Sequence, residues 1–245
     1  AARTLPRSPG FAAIAIVTLA LGIGANTAMF SVLNMYLFQP LPYPHSEQLV
    51  QVYRTSIHSD SWPHSVANFL EFRQRNDVFE EMVAYNGVGP VLTRAGQPAE
   101  RLLGMIVSGN FFKARGVVPA LGRVFTDEED QPNANNVAVL SDRFWRTRFG
   151  ADPAIVGQMI QLDGQSVQVI GVMPPAFEHP LLWFTVDLWR PIAFTPEQRQ
   201  NRGNNYLRAF ARLKPGVSID AAQQSMATLA TNLFQETKTN QNESL

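Results

Sequence analysis

The sequence predicts an α+β fold in which one membrane-spanning helix precedes a mixed domain of helices and strands. Residues 11–38, FAAIAIVTLALGIGANTAMFSVLNMYLF, hold no charged side chain, although 16% of the 245-residue chain is charged. Beyond them, strand and helix signals interleave without the regular βαβ repeat of a doubly wound sheet. A strand-rich block at about 116–200 lies between two flanks that each offer a strand and an amphipathic helix. That order is expected when one small subdomain is inserted into another.

The apolar run justifies the first element by length. As a helix it would reach roughly 42 Å, against about 30 Å of bilayer hydrocarbon. A core helix of a soluble domain is shorter and shows a polar face. A cleaved signal has an apolar stretch of roughly 7–15 residues followed by a small-residue cleavage site. Here the run ends in bulky residues and prolines, and Pro40, Pro42 and Pro44 stop the helix. Residues 1–10 precede the span and carry Arg3 and Arg7, whereas the first charge after it is Glu47. Basic residues favour the cytoplasmic side, so the N-terminus is expected inside and everything after Phe38 outside.

One face of the span is small or polar from Ala20 onward: Ala20, Gly24, Thr27, Ser31 and Asn34. Small residues allow close backbone approach between helices in lipid, and polar ones allow interhelical hydrogen bonds. This face is therefore expected to pack against other helices. The alternative is an ordinary membrane helix, in which such residues are common.

The outer domain is expected over residues 46–236, with a polar, disordered tail at 237–245. Residues 46–245 carry 18 basic and 20 acidic side chains, which leaves no basic stripe for nucleic acid. Cysteine is absent, so disulfides are excluded. QLVQVYR (48–54) reads as a strand, and the segment from Ser65 to about Tyr85 as a helix. Residues 89–108 read as two strands about the Ala95–Pro98 turn, and NFFKARG as a short helix closed by Gly116. NVAVL (136–140) reads as a strand leading into a helix capped by Ser141. Alternating apolar residues about Asp163-Gly164 form a hairpin signature. YLRAFARL (206–213) reads as a strand, and Ser218 caps a last helix with the apolar line Ala222, Met226, Leu229 and Leu233.

No catalytic, cofactor or metal site is expected. No Gly-x-x-x-x-Gly-Lys-Ser/Thr loop occurs, and no Gly-x-Ser-x-Gly elbow. His45, His58, His64 and His179 lack zinc-ligand spacing. Asp127, Glu128, Glu129 and Asp130 lack the alternation of a calcium loop and read as a solvated turn. Phe144 and Trp145, on the helix after Ser141, read as core rather than as a partner surface.

RSPGFAAIAIVTLALGIGANTAMFSVLNMYLFQPLPYP resembles the first transmembrane helix of acidobacterial-type FtsX-like permeases, relatives of the MacB-type macrolide and peptide exporters. VSGNFFKARGVVPALGRVFTDEED, VAVLSDRFWRTRFGADPAIVGQMIQLDGQSVQVIGVMPPAF and LRAFARLKPGVSIDAAQQSM are similar to the MacB-like periplasmic core domain. The resemblance covers roughly positions 3–235, with its motifs in order, and departs at Gln39, where a basic residue is expected. It implies a porter-like α+β subdomain carrying an inserted strand-rich subdomain. It also implies a non-enzymatic permease component of an ABC-type export or mechanotransmission system in the bacterial inner membrane. The expected partners are a cytoplasmic ATPase, a periplasmic adaptor and three further permease helices missing from this chain, with a dimer as the full assembly. On this resemblance the chain is a fragment or truncated product of a permease. The alternative is a membrane-tethered binding or sensor module acting without a pump.

Overall fold

The computed structural model describes residues 9–37, 43–56, 59–177 and 185–243. The chain divides into two units, Ala1–Leu41 and Pro42–Leu245.

The first unit is helix α1 (Pro9–Leu37), started by a proline whose missing N–H would have had no partner there. It contains a 22-residue stretch, Gly10–Ser31, long and apolar enough to cross a membrane, none of it buried within the protein. Its polar side chains fold back on the helix: Thr18 Oγ1 donates to Ile14 O and Asn26 Nδ2 to Gly22 O, both at 2.9 Å. In hydrocarbon no water would serve those groups, so this self-satisfaction suits a lipid-facing helix. Ala20, Gly24, Thr27 and Ser31 are exposed, and a Cβ on Gly24 would meet nothing within 4 Å. Asn34 is helical in its backbone, and Arg3, Arg7, Phe38 and Gln39 lie outside the described residues.

The second unit begins with a 3-10 turn, Ser46–Gln48, and strand β1 (Leu49–Val52). A hairpin follows, β2 (Arg54–Ser56) with β3 (Ser59–Trp62), and then β4 (His64–Ser65). Ser65 Oγ accepts from Asn68 N and so starts α2 (Val66–Arg75). The expected helix stops there, because Asn76 turns extended. Its Nδ2 donates to Phe72 O, and its Oδ1 accepts from Phe79 N. Residues 79–88 form β5 (Phe79–Val88) instead, a central strand hydrogen-bonded on both edges. Phe79 and Met82 thus belong to a buried strand, and Val78 to the bend just before it.

Next come β6 (Val91–Thr93), β7 (Glu100–Arg101), β8 (Gly104–Val107) and α3 (Phe111–Arg115), which Gly116 closes at φ 65°. β9 (Leu121–Gly122) and β10 (Val137–Leu140) lead into α4 (Asp142–Phe149), capped by Ser141 as expected. β11 (Met159–Leu162) and β12 (Gln165–Val172) form the hairpin about Asp163 and Gly164, both at positive φ. β13 (Leu188–Pro191), α5 (Pro196–Gln200), β14 (Asn205–Leu213) and α6 (Ile219–Glu243) complete the chain. The helical backbone runs on through 237–243, where a disordered tail was expected. No glycine or proline interrupts residues 219–243.

Twelve strands among the described residues share one sheet, in the order β1-β14-β5-β8-β13-β10-β12-β11-β6-β7, with β4 on β14 and β9 on β12. Most neighbours are antiparallel; β8–β13 and β10–β12 are parallel. Two cores lie along it. Phe69, Met82, Ala209 and Ala222 belong to the first, and Val50 and Met226 pack against it, so the two ends of the domain share one core. The second gathers Ala138, Phe144, Trp145, Leu162 and Leu188, together with Leu92 and Leu102. The second core and the expected 116–200 block do not coincide, because β6 pairs with β11 and brings its neighbourhood into the second core early. β13, hidden in sequence by its short run and terminal proline, joins the two halves between β8 and β10.

Candidate functional site

Two features of the second unit stand apart from ordinary core. One is the place where the chain coming from the membrane helix enters the domain. The other is a groove beneath α6.

Strand β14 has two faces. Leu207, Ala209, Ala211 and Leu213 enter the first core, while Phe210 and Arg212 point to the opposite side. Arg212 is buried there, and its guanidinium serves four uncharged acceptors. Nε donates to Ala114 O (2.8 Å), Nη2 to Pro44 O (3.1 Å), and Nη1 to both His45 O (3.0 Å) and Gln48 Oε1 (3.3 Å). One side chain therefore ties residues 44–48 to the end of α3 and to the sheet. The planar fork of arginine suits several acceptors held at fixed angles. Leu49 pairs with Arg212 across β1 and β14, so the segment is aligned as it arrives. His45 adopts φ 51°, which turns its carbonyl toward the guanidinium and its own side chain toward solvent.

The neighbouring aromatic cluster holds the same segment from another side. Tyr43 is buried and packs on Phe177, 5.8 Å between ring centroids. Phe177 meets Phe112 and Trp189 at 5.6 and 5.3 Å. Arg115 is wholly buried between the faces of Phe111 and Phe210, 3.9 and 4.3 Å from their centroids. Burial draws its pKa down to about 10, and Tyr43 and Tyr85 oppose that shift. It remains a cation at neutral pH, stabilised by the aromatic faces. Gly116 lets the chain turn close to Pro44, whose Cγ would lie 3.4 Å from an added Cβ.

The acidic run 127–130 is not simply a solvated turn. Asp130 accepts from Gly109 N and Ala193 N, both at 2.9 Å, and so latches the start of α3 to the segment after β13. Burial pushes its pKa up, against those hydrogen bonds. Glu129 pairs with Arg123 through two hydrogen bonds, at 2.6 and 2.8 Å. Phe144 and Trp145 are core residues, as expected. His64 is buried with Nε2 on Val52 O at 2.9 Å, His45 is exposed, and His58 and His179 lie outside the described residues. Among the described residues no three His, Asp or Glu converge as metal ligands would.

The groove under α6 has a volume of about 730 Å³, with walls from β1, β2, α2 and α6. Neither it nor the Arg212 clamp was singled out from sequence. The signal for the clamp was present: strand alternation puts Arg212 on the same face as Phe210, inside a strand of buried residues.

The family model of the MacB-like periplasmic core domain matches residues 12–229. The macrolide export ATP-binding/permease protein MacB of Burkholderia pseudomallei (strain 1710b) is 30% identical over 128 residues, 51% of this chain and 19% of that protein. The chain thus spans about a fifth of the length of the curated relatives it matches. Among solved structures, the extracellular domain of the noncanonic ABC-type transporter YknZ from Gram-positive bacteria superposes with a TM-score of 0.56 at 14% identity. That match covers 76% of this chain and 95% of YknZ's. The periplasmic region of MacB from Actinobacillus actinomycetemcomitans gives 0.55 at 16% identity, covering 76% and 83%. At such identities the likeness concerns the fold.

Proposed function

The chain belongs to the family of MacB-like periplasmic core domains, and from that premise we propose that it is a non-enzymatic, membrane-anchored component of an ABC-type export or mechanotransmission system. In this reading a cytoplasmic ATPase moves the membrane helices, and the outer domain carries that motion to a periplasmic adaptor or substrate. The observation that supports it most is the clamp: Arg212 and the cluster around Tyr43 hold residues 43–48 rigidly to the sheet. A pull on that segment would reach the body of the domain. The outer domain is read as a porter-like lobe built on the first core with an inserted lobe gathered on the second, a reading that the two cores support.

The orientation is testable by cysteines placed singly at Ser8 and Ser61. With Arg3 and Arg7 inside, a membrane-impermeant maleimide added from outside should label the cysteine at position 61 and spare that at position 8. The opposite pattern would reverse the topology.

The face Ala20, Gly24, Thr27, Ser31 and Asn34 is read as the surface that meets other permease helices, and the full assembly as a dimer. Purification of the tagged chain from its native membranes should recover an ATPase and permease helices together. Gly24→Leu should lower that recovery while insertion persists, because leucine is itself apolar, and Ile23→Leu should leave it unchanged. Equal effects of the two substitutions would remove the packing role of the face. Recovery of the chain alone would favour a tethered binding module, a reading that the groove under α6 also supports.

A further inference from the structure

We propose that the groove under α6 is a binding site for an uncharged, apolar small molecule. Its volume of about 730 Å³ falls within the roughly 300–1,000 Å³ of small-molecule sites. Small side chains of α6 leave it open: Ala222, buried in the first core, and Ala227 and Ala230, exposed along its flank, line it where leucines would fill it. Val50 and Val52 form the facing wall, with Met226 reaching in from the helix.

The polar groups at the rim define the ligand's charge. Arg54 donates to Asn205 Oδ1, and Arg202 is engaged by Glu71 and Asn68. Asp60 sits on the exposed hairpin strand β3. The buried ring of His64 also lines the groove, and desolvation lowers its pKa, so it adds no charge at neutral pH. An anionic ligand would have to break the arginine pairs to be neutralised and a cation would find only Asp60 on the exposed rim, whereas an uncharged ligand needs neither. Around the opening, Tyr53, Ile219 and Phe234 are 52%, 61% and 59% exposed, large apolar side chains that a bound apolar body would cover. The site does not depend on the coupling reading, since it lies within the domain and needs no ATPase.

The test uses the intact chain in detergent with benzophenone, an uncharged photoprobe that inserts into C–H bonds and favours methionine. Met226 lines the groove, and Met159, 54% exposed on the hairpin of the other lobe, reports background. Labelling of Met226 should saturate and should be competed by diphenylmethane. Ala230→Trp, a change at an exposed position on the groove wall, should cut Met226 labelling by about fivefold or more. Labelling of Met159 should stay linear in both proteins. Linear, uncompeted labelling at Met226 would overturn the proposal whether or not the variant folds. So would a Met226 shielded from probe while Met159 reacts, because protein would then cover the groove.

Discussion

Arg212→Ala is expected to free residues 44–48, the segment that leads into β1. Four oxygens lose their donor at once, Ala114 O in a buried bond and Pro44 O, His45 O and Gln48 Oε1 in part-buried ones. With one buried group left unsatisfied at about 1–3 kcal/mol and three part-buried bonds lost at smaller cost, a loss of about 3 kcal/mol is expected. For a domain of this size that is a fall of roughly 6–12 °C in thermal midpoint. The specific sign is local. Amide hydrogen exchange should accelerate in residues 45–50 and hold steady in β10 and β12, which belong to the other core. Arg212→Lys should recover little, because an ammonium cannot present the same planar fork. Full protection of 45–50 in the lysine variant would show that charge alone, not the fork, holds the segment.

Gly171→Ala should be comparably severe for a different reason. Gly171 faces Gly122 where β9 crosses β12, and a Cβ there would lie 2.3 Å from Arg123 O. The obstacle is backbone, itself held by the hydrogen bond from Arg123 N to Ile170 O, so nothing flexible can yield. A cost of about 3 kcal/mol or more follows. Gly164→Ala is the control: φ is +75° but the space around it is open. Only the left-handed backbone penalty applies there, about 1–2 kcal/mol. Equal thermal midpoints for the two variants would mean that the β9–β12 contact tolerates separation.

Local chemistry made much of the fold readable. The charge-free run, Ser141 and Ser218 as caps, Gly116 as a helix terminator and Asp163-Gly164 as a hairpin turn all act within a few residues, and each stands where expected. The failures share a cause. The apolar spacing predicts a helix as far as about Tyr85 because short apolar spacings fit both periods, and only the pairing of β5 with β14 and β8 decides between them. β6 belongs with a core whose other members lie mostly after residue 137, a fact carried by long-range pairing with β11. The clamp was hidden for the same reason, since Arg212 meets acceptors more than 160 positions earlier at Pro44 and His45. The acidic run looked solvated because sequence does not reveal that Gly109 and Ala193 bring two N–H groups to Asp130.

The uncharged character of the oxygens around Arg212 bears on the weather the protein can endure. Peptide and amide oxygens take up no proton in mild acid and gather no counter-ions in brine. The surface pairs behave otherwise. Arg75 and Arg148 hold Glu236 and Glu100 below the ordinary carboxylate range, so those contacts persist above it and fade as acidity drives the pH down through the depressed values. Salt weakens them as well. Acid or brackish surroundings would therefore loosen the domain's outer fastenings first, and leave the joint behind the membrane helix gripping as before.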